Sequence, residues 1–255
     1  MTGTVARVSQ RRPIQVLVGV LILTVLGSAL VFLGPTFLSS LSTGGGSLLT
    51  RPECVMRTPD GEVGFSRDEA KRATTEVALR ARGVEPPASS SLDEAALQAL
   101  TDGPASDAGP VLTCKGYVDS ELRVEELTPS GLTPRAEQVR TAMAEVFGDQ
   151  SLGGFEPGGV GSGHGGASTH YDGRAIDVFF RPVTEENRRE GWVLAQWLVA
   201  HAEDLNIQYV IFDDQFWSAR IPRGQWHDYE APPPANEILR HLDHVHVDVL
   251  GGGLP

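Results

Sequence analysis

Two short segments concentrate residue types that can do chemistry. The first is Ser168-Thr169-His170-Tyr171-Asp172-Gly173-Arg174-Ala175-Ile176-Asp177 and the second is His241-Leu242-Asp243-His244-Val245-His246-Val247-Asp248. If 244–250 is a strand, alternation sets His244, His246 and Asp248 on one face and Val245, Val247 and Val249 on the other. A strand over 175–180 likewise puts Asp177 on a face with Ala175 and Phe179, opposite Ile176, Val178 and Phe180. A carboxylate in so apolar a strand costs several kcal/mol of desolvation unless it is paired or bound to a metal. Two imidazoles and a carboxylate, with water in the fourth position, make a catalytic zinc site whose water ionises near neutral pH and attacks a carbonyl.

Positioning these groups takes an α+β domain with a mostly antiparallel sheet and packed helices. The reading places it at 129–255. Thr133-Pro134 starts a helix to about Phe147, and a strand is expected at 151–155. Gly173 supplies the turn that brings His170 back over the Asp177 face. Thr184 caps a long helix to about Asp204, and a strand follows at 208–212. The glycine-rich run 158–166 lacks the Gly-Lys-Ser/Thr of a phosphate loop, so its His164 reads as solvated or at the edge of the cleft. His201 reads as structural, Asp213-Asp214 as a turn, and Trp226-His227 as unrelated to the site. His241 and Asp243 are placed to support the site histidines.

These motifs resemble a superfamily of zinc peptidases, the LAS type, which groups lysostaphin, the D-alanyl-D-alanine metallopeptidases and the Hedgehog signalling domain. Its pattern S-x-H-x-x-G-x-A-x-D is matched by Ser168, His170, Gly173, Ala175 and Asp177, and its later H-x-H by His244 and His246. The stretches Gly153-Gly154-Phe155, Tyr209-Val210-Ile211 and 241–247 also resemble an uncharacterised secreted domain of actinobacteria and some fungi, close to that group. The resemblance covers about residues 130–250. It implies His170, Asp177 and His246 as zinc ligands and His244 as the catalytic residue beside the water. Relatives often carry Gly-Tyr-Arg ahead of the first ligand, where this chain has Gly154-Phe155-Glu156; Arg174 and Arg181 are the candidate replacements for substrate contact, with Ser168 also near the site. The Glu-x-Trp-His of many D-alanyl-D-alanine peptidases is absent, since Trp226-His227 follows Gly224-Gln225.

The rest of the chain suggests where such a site would work. Of 21 basic residues, Arg7, Arg11 and Arg12 lie within 1–50, which holds no acid; the remaining 18 face 33 acids, so the overall charge of −12 becomes −15 beyond residue 50. That balance argues against a nucleic-acid partner. Residues 14–33 are twenty uncharged and largely apolar residues, enough to span a bilayer. The arginines before them keep 1–13 cytoplasmic and send the remainder outside. Residues 34–50 read as a flexible linker and 51–128 as a small helical region. Ser66-Arg67-Asp68-Glu69 forms a capping box there, a helix runs to about Arg82 and a second spans 91–100. Export permits a disulfide between Cys54 and Cys114, the two cysteines of the chain, which would stabilise by about 4 kcal/mol in the chain-entropy model.

Together these readings imply an extracytoplasmic zinc peptidase held in a cytoplasmic membrane by 14–33 and acting on peptidoglycan or another cell-wall peptide. A zinc-stabilised cell-wall-binding or interaction module without hydrolysis, and a metal-free adhesion domain, are the alternatives.

Overall fold

A computed structural model describes residues 51–58, 61–105, 108–221 and 223–253. The expected cytoplasmic tip 1–13, anchor 14–33 and linker 34–50 lie outside the described residues. Among those described, no helix is long and apolar enough to cross a membrane.

Among the described residues the architecture is α+β, with two antiparallel sheets and four α-helices. Each helix begins at a side-chain cap. Ser66 Oγ accepts from Glu69 N (3.2 Å) ahead of α1 (Arg67–Ala81). Asp93 Oδ1 accepts from Ala96 N (2.8 Å) ahead of α2 (Glu94–Asp102). Thr133 caps α3 (Pro134–Phe147), whose first residue is the proline, and Thr184 caps α4 (Glu185–Ala200). Each cap satisfies a backbone N–H that the first helical turn leaves without a partner.

The region 51–128 is less helical than its sequence suggests. It contributes β1 (Cys54–Thr58), β2 (Gly61–Phe65) and β3 (Leu112–Cys114), ordered β2-β1-β3. Cys54 and Cys114 face each other across β1 and β3 and are joined by a disulfide. The capping box at Ser66 is only half formed: the Glu69 carboxylate turns away from the cap to Arg72 Nε (3.1 Å) and Ser91 Oγ (2.8 Å). Glu76 meanwhile accepts from Ser90 N (2.6 Å). With both serines held this way, α2 starts at Glu94 instead of 91.

The second sheet has the order β4-β5-β9-β6-β7-β8. Its strands are β4 (Leu152–Gly153), β5 (Ala175–Phe179), β6 (Ile207–Phe212), β7 (Gln215–Ser218), β8 (His227–Asp228) and β9 (His244–Val249). Asp213 and Asp214 both have positive φ, 53° and 57°, and form the two-residue turn between β6 and β7, a geometry that matches strand twist. Helix α4 ends at Ala200, four residues short of the expected end, and the chain turns through 201–206 into β6. From Leu194 to Ala200 α4 is buried on every side, because it packs on β6 and β9 and also on α1 and α2. Val245, Val247 and Val249 of β9 share one hydrophobic core with Ile176 and Val178 of β5, Trp192 and Trp197 of α4, Met143 of α3 and Met56 of β1. The core therefore draws on residues from both sides of position 128.

Candidate metal centre

The site grows from the pairing of β5 with β9. The register sets Ala175 opposite Asp248, Asp177 opposite His246 and Phe179 opposite His244. Since the valines of β9 and Ile176 and Val178 of β5 face the helices, all six of these residues share the other face. On β6, Tyr209 and Ile211 lie beside Asp248 and His246 on that same face, and the Tyr209 ring stacks on His246 at 5.5 Å.

His170 reaches this face from a short 3-10 turn, Thr169–Asp172, just ahead of β5. Ser168 Oγ accepts from His170 N (3.3 Å) at its start, and Gly173 closes it with φ 64°, a left-handed conformation that glycine adopts without strain. A Cβ on Gly173 would also meet Gly131 O at 2.4 Å. Gly154, leaving β4, is required more directly. Its φ is +79°, and a Cβ there would lie 2.2 Å from His170 Cε1 and 2.4 Å from His170 Nδ1.

Three donor atoms converge. His170 Nε2 lies 3.2 Å from His246 Nδ1 and 3.3 Å from Asp177 Oδ1, and His246 Nδ1 lies 3.0 Å from Asp177 Oδ1. All three residues are buried, at 3%, 6% and 6% exposure for His170, Asp177 and His246. His170 Nδ1 is 2.8 Å from Gly154 O. A carbonyl can only accept, so Nδ1 carries the proton and a neutral His170 turns the Nε2 lone pair on the Asp177 carboxylate. Two lone pairs facing each other out of water repel, and a cation between them, proton or metal, removes the repulsion. Tetrahedral ligands bonded at 2.0–2.1 Å sit about 3.3 Å apart, close to the spacing of these three atoms.

His164 approaches two of these residues, His170 and Asp177, from the glycine-rich loop. Ligand atoms of His164, His170 and Asp177 lie within 4.8 Å of one another, a group that can hold a metal ion. The rings of His164 and His170 lie 4.0 Å apart, tilted by 31°. Tyr171 ties the loop down: its hydroxyl accepts from His164 N (3.0 Å) and donates to Gly165 O (2.7 Å). Reading the sequence left His164 outside the ligand set, and its one signal was a lone imidazole in a glycine run six residues before His170.

His244 stands next to the cluster. Its Nδ1 donates to Asp243 Oδ1 (2.7 Å), while Nε2 lies 3.7 Å from Asp177 Oδ1. Arg181 Nε in turn donates to Asp243 Oδ2 (2.6 Å), and its guanidinium lies 4.0 Å above the Phe179 ring. Arg181 therefore anchors the His244 end. Arg174 serves the opposite end, donating to Val249 O (2.8 Å) and Asp172 Oδ2 (3.1 Å), with Asp248 Oδ2 at 3.7 Å. His241 packs its ring 4.8 Å from that of His244 and 5.7 Å from that of His246. Among the described residues, His241 Nδ1 and His246 Nε2 are buried without hydrogen-bond partners.

The electrostatics separate acids from bases. Burial would raise the Asp177 carboxyl, but hydrogen bonds and charge from His170 and His246 outweigh it and hold the group well below the usual carboxylate range. Asp243 is likewise lowered, because His244 and Arg181 overcome the effect of burial. Burial pushes His246 down. Burial, then repulsion from His246 and His244, takes His241 to about 3, and burial with repulsion from His170 lowers His164. These environments favour ionised carboxylates and neutral imidazoles, the protonation states in which both bind metals. Asp248, fully buried at the far end, is pushed up to about 7 by desolvation, with Arg174 opposing the shift.

Other candidate residues lie apart. Glu156 is exposed on a turn and its backbone carbonyl accepts from Gly159 N. His201 Nδ1 donates to Trp197 O (2.9 Å), and its ring stacks on that of Trp197. Trp226 Nε1 donates to Leu112 O (3.0 Å) and His227 is exposed on β8. These two help line a cleft of about 1070 Å³ together with Val55 and Thr113, away from the histidine cluster.

Fold and site thus define an α+β domain with a buried His/Asp cluster able to hold a metal ion. Residues 128–237 match the family model described as the VldE C-terminal domain. That span takes in His164, His170 and Asp177 and ends before β9. No curated protein and no solved structure matches the chain.

Proposed function

We propose that the chain is a zinc-dependent peptidase that cleaves amide bonds of peptidoglycan peptides outside the cytoplasmic membrane. The observation that carries this reading is the convergence of His170 Nε2, Asp177 Oδ1 and His246 Nδ1 at 3.0–3.3 Å, with His170 turned by Gly154 so that its lone pair meets the carboxylate. Two imidazoles and one carboxylate are the donor set of a catalytic zinc site. The resemblance of the S-x-H-x-x-G-x-A-x-D and H-x-H motifs to the LAS-type peptidases supplies the substrate class. The apolar segment 14–33 and the disulfide are consistent with an exported domain.

His170, Asp177 and His246 would hold the zinc. Bound there, zinc polarises a carbonyl and lowers the pKa of water. His244 accepts and returns protons at Nε2, because its Nδ1–H is committed to Asp243. The Asp243 charge stabilises the imidazolium that results, and Arg181 keeps Asp243 aligned, an orienting arrangement general to acid–base catalysis. Tyr209 and Ile211 shield His246 from the β6 side.

The test is to purify the full-length protein, measure its zinc, and incubate it with peptidoglycan with and without chelator. The reading expects about one zinc per chain and chelator-sensitive release of peptide fragments. His246→Ala should lose metal and hydrolysis together, whereas His244→Ala should keep metal and lose hydrolysis. Near-complete burial of the donor side chains favours a second reading, a zinc-stabilised wall-binding module. It expects chelator to lower the melting temperature with no fragment released from any peptidoglycan.

A further inference from the structure

We infer that His164 is a fourth, loop-borne metal ligand that closes the centre and must leave it before an outside ligand can enter. The inference rests on the metal-site reading above and concerns the state of that site. His164 ligand atoms lie within 4.8 Å of those of His170 and Asp177, so a displacement of about 1.5 Å brings a third imidazole into the tetrahedral spacing that His170, Asp177 and His246 already keep.

The loop is built to hold this side chain and also to release it. Six of the nine residues from Gly158 to Gly166 are glycine, and Gly163 and Gly165 on either side of His164 have φ of +98° and +84°. No atom lies within 4 Å of where a Cβ would stand on Gly161, Gly163, Gly165 or Gly166, so the backbone there can move without collision. What holds it is the Tyr171 hydroxyl, through one bond to His164 N and one to Gly165 O. Tyr171 stands next to the ligand His170, so the latch and the site share one turn of chain. With His164 in place, three imidazoles and a carboxylate complete a closed four-coordinate site. With the loop swung away, one position opens to water or substrate. The protein would therefore rest in a latent form that a bound peptidoglycan peptide opens by displacing the loop.

The experiment loads the full-length protein with cobalt(II) and reads its visible absorption, then adds azide as a small exogenous ligand. Wild type should show a four-coordinate spectrum that azide leaves largely unchanged. His164→Ala should still bind one cobalt, show an altered spectrum and respond to azide, with zinc bound about ten- to a hundredfold more weakly in competition with a chelating dye. Tyr171→Phe, which keeps His164 but frees the loop, should gain azide sensitivity as well. Identical spectra and identical azide responses in wild type and His164→Ala would overturn the fourth-ligand assignment and leave the three-ligand site standing. Absence of cobalt binding in the wild type would overturn the metal-site reading, and this inference with it.

Discussion

The two faces of β9 are equally buried and chemically opposed. Val245, Val247 and Val249, at most 1% exposed, pack under α4, while His244, His246 and Asp248, at most 6% exposed, line the other side with Asp177. On the first face burial is itself the source of stability, since each valine removes apolar area from water. On the second face burial is a cost, which only pairing among the polar groups or a bound cation offsets. A six-residue strand thus carries the core on one side and the chemistry on the other, and rigid packing of the first fixes the positions of the second.

Exchanging the character of one residue on each face tests that contrast. The largest effect is expected for Val247→Asp, which buries a carboxylate among Ile176, Val210 and the α4 side chains. The loss should be at least about 3–5 kcal/mol, read as failure to give a cooperative urea transition. A transition within 1 kcal/mol of wild type would mean that the valine face is not the core.

A second comparison sets the clustered histidines against His201, half-buried against Trp197, with Asp204 as the nearby carboxylate that partly opposes its shift. Desolvation lowers His201 from 6.5 to about 4. Above pH 6.5 neither native nor unfolded chain carries this proton, and the contribution to stability is full. As pH falls below 6.5 the unfolded chain binds it first, so stability is lost down to about pH 4, by about 3 kcal/mol in all. Chelator-treated protein should lose stability over this window, and His201→Gln should flatten the loss. An unchanged slope in His201→Gln would assign the acid sensitivity elsewhere.

The smallest of these effects is expected for His246→Val, measured in chelator. Removing one partner of the buried Asp177 costs about 1–3 kcal/mol, less than Val247→Asp although the two positions are adjacent. Without chelator the same variant should fail to gain the zinc-dependent rise in melting temperature that wild type shows. If His246→Val and wild type respond equally to zinc, His246 is not a ligand.

Much of this site could be read from spacing because it sits on strands. Polar residues at every second position of 244–248, set against valines between them, gave away the face, and Asp177 stood out for the same reason in an apolar strand. Gly173 marked the turn that returns His170. The His164 contact was not legible, since it depends on the path of a glycine loop and on one tyrosine hydroxyl, neither of which leaves a periodic trace. Strands β1 and β2 were missed because β2 is exposed almost throughout and shows no apolar alternation. The half-formed capping box at Ser66 shows a similar limit: the motif located the cap, but Glu69 found partners brought in by the later chain at Ser91.

The central claim is that His170, Asp177 and His246 hold one metal ion. Zinc content of the full-length protein, followed by X-ray absorption at the zinc edge, tests it most directly. The account predicts about one zinc per chain with nitrogen and oxygen neighbours near 2.0–2.1 Å and no sulfur, lost in His246→Ala. A folded wild-type protein that remains metal-free after incubation with zinc would contradict it.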